Sequence, residues 1–278
     1  MMWREGRFIG SAVIGLLLLS GSASQGRPGG DSAPHGGFSI EEVIASREQA
    51  GLLPSSDAEI RCSLVVLVDA VGIDYATGEA FFRTMARHPR CRKQDHSVGH
   101  AWMILRGPVW VECGHTGEFG LDEADLKDSL LGALKRNDPD PLACFWRPLT
   151  NGRFELGSGG HVPSAAVEFD LSPRQYEAIR KFIHDYDYRM FCVRDRVCTH
   201  FVTQAAALAG ITLGHRVTIN IPKQAHFDGR LINWWTDAKY SRLTYGSPDV
   251  LEKSLKKAVE NGVGRNVLEK YKKQQTHL

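Results

Sequence analysis

Between Ala165 and Tyr186 the chain passes from the pattern of a strand to that of a helix with no loop between them. Ala165–Leu171 reads as a strand, Ser172 as an N-cap, Pro173 as the first helical residue and Gln175 as the second half of a capping box. Further strands are expected at Cys62–Val71, at His100–Leu105, at Val109–Cys113 and in the region Ile211–Ile221. Helices are expected after Ser39 as far as Gly51, over Gly78–Arg87, over Leu121–Lys135, over Cys198–Ala209 with Gly210 as its C-cap, and from Pro248 with a break around 261–264. Antiparallel-looking strands with separate helices predict an α+β domain, an antiparallel sheet packed against helices.

At 278 residues, 42% hydrophobic and 24% charged, the chain has material for one large domain or two small ones and is not a disordered protein. Its net charge of +2 names no nucleic-acid partner. Arg4 and Arg7, an uncharged run from Phe8 to Leu19 and the small residues 20–24 form the pattern of a secretory signal peptide, residues 1–24. The run falls short of the roughly 20 apolar residues that a membrane span needs, and an uncleaved anchor is the alternative. Residues 25–37, rich in Gly, Ser and Pro, read as a flexible linker. Residues 1–24 carry a net +1 and the last 28 residues a net +4, so the stretch between them carries −3. The expected layout is thus an exported, mildly acidic domain over 38–246 and a basic helical tail over 247–278.

The helix opening at Cys198 is the most informative segment. Phe201, Val202, Ala205, Leu208 and Ala209 form one apolar face, and Cys198 shares it from the first turn. Unpaired N–H groups and the positive end of the helix dipole favour a thiolate there and can hold an oxyanion. A small buried hydrophobe is the plain alternative. His100, leading the apolar run Ala101-Trp102-Met103-Ile104-Leu105, is the candidate base, and a core histidine is its plain alternative. Its orienting partner depends on hairpin register. A three-residue connection, Arg106–Pro108, puts Glu112 on the face of His100; a two-residue connection puts His115 opposite it. Glu112, a carboxylate in an apolar strand, is preferred.

These residues resemble a known arrangement. Cys198-Thr199-His200-Phe201-Val202 is similar to the Asn-Cys-Glu-His-Phe-Val signature of the lecithin–retinol acyltransferase family, which belongs with the NlpC-type cell-wall peptidases. His100-Ala101-Trp102 and Glu112, twelve positions later, follow the same pattern across roughly residues 95–213. Val197 departs from it where the family has Asn, and Glu112 where it has a second His. The resemblance implies a circularly permuted papain-like fold with the nucleophile at a helix N-terminus and an insertion around 114–164. It implies thiol acyl transfer by Cys198, His100 and Glu112 without a cofactor, on a cell-wall peptide or a lipid ester or amide. Gly157-Ser158-Gly159-Gly160-His161 is either a flap over the cleft or a solvated glycine loop.

Two other functions compete. His96, His100, Cys113 and His115 are four zinc-compatible ligands within 20 positions, although the spacing matches no specific metal motif. Trp102, Trp234 and Trp235 suit a sugar-binding module, and the basic tail suits an anionic cell-envelope surface. Of the remaining cysteines, Cys62, Cys91, Cys113 and Cys144 have no assignable pairing, and a Cys192–Cys198 bridge would act as a redox off-switch.

Overall fold

Strand β1, Cys62–Asp69, is buried along its whole length, and a strand so apolar on both faces belongs at the centre of a sheet covered on both sides. The computed structural model describes residues 61–87, 98–117, 133–134, 136–227 and 229–275 and places β1 there. The sequence expectations for residues 1–60, Cys91, His96 and most of the 121–135 helix lie outside the described residues.

Around β1 run β2 (His100–Arg106), β3 (Val111–Thr116), β4 (Arg153–Leu156), β5 (Ala165–Leu171) and the short β10 (Arg265–Asn266). The six strands lie in the order β10-β5-β1-β2-β3-β4, every neighbouring pair antiparallel. Helix α1 spans Gly78–Arg87, α2 Pro173–Asp185, α3 Cys198–Leu208, α4 Pro248–Glu260 and α5 Leu268–Gln275. The molecule is therefore α+β, an antiparallel sheet packed against helices.

One sheet face, carrying Leu64, Val66, Ala101, Met103 and Val167, is covered by α2, α3 and α4 through Ile179, Phe201, Val202 and Leu255. The other, carrying Val65, Leu67, Trp102 and Ile104, meets Tyr271 of α5. The ribbon of β6 (Arg216–Asn220) with β9 (Arg242–Gly246), and the hairpin of β7 (Gln224–Phe227) with β8 (Arg230–Asn233), stand apart from this sheet. They pack around Trp234, Phe145 and Tyr245 in a second core.

The capping box is formed as expected: Gln175 N donates to Ser172 Oγ, and Ser172 N donates to Gln175 Oε1. Gly210, at φ 76°, terminates α3 in the left-handed conformation, with Gly210 N and Ile211 N bonded back into the last turn. The basic C-terminal segment is built into the domain. Leu251 and Leu255 of α4 are core residues, β10 extends the sheet and Tyr271 of α5 is buried.

The β2–β3 hairpin differs from both expected registers. Leu105 pairs with Val111 across five residues, 106–110. Tyr176 of α2 is the reason: its hydroxyl accepts from Val109 N and donates to Val109 O, withdrawing that residue from the ladder. Gly107 lies against the same phenol ring, where a Cβ would collide.

Candidate active site

Helix α3 begins at Cys198 because Val197 is the last extended residue, at φ −120° and ψ 177°. Val197 offers no side-chain acceptor, and the first main-chain bonds run from His200 N and Phe201 N to Val197 O. The N–H groups of Cys198 and Thr199 precede those bonds and stand at the positive end of the helix dipole. Phe201 and Val202 anchor the turn in the main core, and Cys198 itself is buried, 8% exposed.

His100 is the first residue of β2, at the end of the sheet. Its face is that of Trp102, whereas Ala101 and Met103 point toward α3. Its Nε2 lies 2.8 Å from Glu155 Oε2, off the line of a full hydrogen bond, so the contact is foremost an ion pair. The Cys198 thiol also interacts with the imidazole, and with Nε2 turned to Glu155 the nitrogen left for sulfur is Nδ1. Burial pushes the His100 imidazole down, but its interactions with Cys198 and Glu155 outweigh it and raise it to about 9. Burial alone would raise the Glu155 carboxyl; His100, with His161 and Arg153, brings it below its ordinary value. The imidazole thus has a thiol and a carboxylate as its two partners.

The carboxylate beside His100 is Glu155, and Glu112, expected there, lies farther along the same sheet face. The two-residue change of register keeps Glu112 on the face of His100 but sets it opposite Ile104, about 13 Å along the strand from His100 at ~3.3 Å per residue. There Glu112 Oε1 accepts from Trp102 Nε1 at 2.9 Å and from Tyr271 OH at 2.7 Å, a buried structural carboxylate. Glu155 comes from the next strand, β4, paired with Gly114, which is itself opposite Trp102. Because residue 114 has no side chain, the Glu155 carboxylate and the imidazole meet over it. A Cβ there would lie 3.1 Å from His100 Nε2 and 3.5 Å from Glu155 Oε2.

His115 projects from the other face of β3. It is fully buried among Tyr186, Tyr188, Phe191 and Phe201, with Nε2 3.1 Å from Tyr188 O. Burial pushes it down to about 4, so it is neutral at pH 7 and does not orient His100. Cys113 shares that opposite face, which separates it and His115 from His100. Among the described residues no group of three or more His, Cys, Asp or Glu is arranged to hold a metal. Trp102 and Trp234 are fully buried and present no face to a sugar.

No family model, curated protein or solved structure matches this chain.

Among the described residues Cys113, Cys144, Cys192 and Cys198 are free thiols, and these and Cys62 are buried. Burial drives Cys113 well up, helped by the charge of Glu112, and pushes Cys144 up to about 12. Those two are inert small hydrophobes. Sequence reasoning passed over Asp69, and saw His161 only as part of a loop. His161 stacks on the His100 ring at 4.7 Å, and its Nδ1 is 3.0 Å from Asp69 Oδ2. A groove of about 560 Å³ lies between α2 and α3, lined by Phe182, Tyr186, Asp187, Arg196, Gln204 and Leu208. Arg196, two residues before Cys198, sits over the Tyr186 ring at 4.9 Å, and burial raises the Tyr186 phenol above its ordinary value.

Proposed function

We propose that this protein is an exported cysteine hydrolase or acyltransferase with a Cys198–His100–Glu155 triad in a permuted papain-like arrangement. The observation that carries the reading is one imidazole held between a thiol at a helix N-terminus and a half-buried carboxylate. Cys198 Sγ attacks a carbonyl carbon, and the resulting oxyanion is held by the N–H groups of Cys198 and Thr199. The imidazolium gives its proton to the leaving amine or alcohol as the tetrahedral intermediate collapses to a thioester. Neutral His100 then takes a proton from water or another acceptor, whose oxygen or nitrogen attacks the thioester and frees the thiolate. Glu155 keeps the ring oriented throughout.

Export rests on the basic, apolar and small-residue pattern of residues 1–24, and it favours a cell-envelope substrate. Among the described residues no helix is long and apolar enough to cross a membrane. The groove between α2 and α3 is lined by both aromatic and charged side chains, which suits a peptide better than a wholly apolar lipid chain. The test is intact-mass detection of an acyl adduct, with cell-wall peptide fragments and lipid esters run in parallel. An adduct on wild-type protein that is missing from Cys198→Ala is the expected result. No adduct and no turnover with either substrate class overturns the reading.

A further inference from the structure

Two imidazole–carboxylate pairs lie face to face at the end of the sheet, and the triad uses only one. His100 pairs with Glu155 at 2.8 Å and His161 with Asp69 at 3.0 Å, and the rings stack 4.7 Å apart with 25° between their planes. The Trp102 ring is also close to parallel with His100, 5.9 Å away. Asp69 is the β1 residue paired with His100 across the ladder, so one strand pair positions both imidazoles. His161 arrives on a loop whose path depends on glycine: Gly157, Gly159 and Gly160 have φ of 79°, 60° and 83°. At Gly159 a Cβ would collide with the Glu155 carboxylate, so this loop lies directly on the acid of the triad. His161 N bonds back to Ser158 O, closing the turn that presents the ring.

We infer that His161, anchored by Asp69, is a positioning residue that covers the open face of His100 and keeps water from its contact with Glu155. The inference rests on the triad proposed above. It requires only that His161 acts through His100, with no contact to substrate.

The physical argument concerns which effect wins at His100. Its surroundings are Cys198 from α3, Glu155 from β4, His161 from the glycine loop, Asp69 from β1 behind His161, and His115 on the far face of β3. Burial opposes the charged ring, and the partners more than offset it, so the net displacement is upward. Admitting water weakens both contributions and moves the group back toward its ordinary value, which here means downward. Loss of the stacking ring also frees the imidazole to turn from its ion pair.

The experiment follows alkylation of Cys198 by iodoacetamide against pH, resolved by peptide mass, in the full-length protein. Wild type is expected to show a fast rate with an alkaline step near pH 9, where the imidazolium gives up its proton. His161→Ala should lower that step by about one pH unit while melting stays close to wild type. A side chain that only supports the loop would change melting and leave the step alone. An unmoved step in folded His161→Ala overturns the inference. Should that variant not fold, Asp69→Asn is read by the same criterion, with a smaller downward shift expected. If wild-type Cys198 reacts no faster than a thiol in unfolded protein, the triad itself fails, and this outcome is seen before any variant is compared.

Discussion

Two glutamates on one sheet face, Glu112 buried and Glu155 half-buried, have opposite assignments, and substitution separates them. Glu155→Gln removes the charge that faces the imidazolium, so the rate of acyl transfer should fall on the order of 10²-fold or more. The alkaline limb of the remaining activity should move to lower pH. The sign follows from His100: its pKa is raised to about 9, so the proton is held below that pH and lost as pH rises through it. Without the carboxylate this loss comes earlier. Glu112→Gln keeps an acceptor for Trp102 and Tyr271 and should leave the rate within about twofold, at a stability cost of ~1 kcal/mol. Steady-state rates over pH 5 to 10, about the range where enzyme groups titrate, with thermal melts of both variants, check the pair. If Glu112→Gln loses activity and Glu155→Gln does not, the assignment is reversed. Cys198 and His100 were legible because each breaks a local pattern, a thiol at a helix start and an imidazole leading an apolar strand. Glu155 was not. It lies 55 positions beyond His100 on a four-residue strand, and only the pairing of β3 with β4 brings the two together.

At the scale of elements, the site depends on how three strands and a helix end are aligned. Gly114 is the point of closest approach, and a glycine within a strand is a sequence signal that another group must come near. Gly114→Ala places a methyl group 3.1 Å from His100 Nε2 and 3.3 Å from Trp102 Cβ. A displaced imidazole should cost about 10- to 100-fold in rate, with little change in melting temperature. Wild-type activity in folded Gly114→Ala would show that the imidazole does not need this space. The hairpin illustrates why register was harder to read than strand identity. Both strands were visible from their apolar residues, yet their offset is set by the Tyr176 hydroxyl on a helix more than 60 positions away. Loop length inferred from Gly107-Pro108 alone had no access to that contact.

For the whole molecule, the C-terminal segment closes the second face of the sheet. Tyr271 is buried against Val65, Leu67, Trp102 and Ile104 and donates to Glu112. Tyr271→Ala should cost about 3–5 kcal/mol, the range for deleting a large buried aromatic. Acyl-transfer rate per folded molecule should stay near wild type, since the triad lies at the sheet's end. Chemical denaturation with activity measured in the native baseline checks both parts. Unchanged stability would mean that α5 does not cover the sheet in solution.

Local chemistry determined the elements themselves. The strand-to-helix junction at Ser172, the helix opening at Cys198, its glycine stop and the apolar strand headed by His100 are all stated by residues within a few positions of one another. Tertiary structure decided which carboxylate meets the imidazole, what covers its open face and whether the basic C-terminal segment trails or packs. Glu155, His161 and Asp69 reach His100 from three separate segments. Such meetings depend on strand order and register, which hydrogen bonds and burial settle only when the whole sheet assembles.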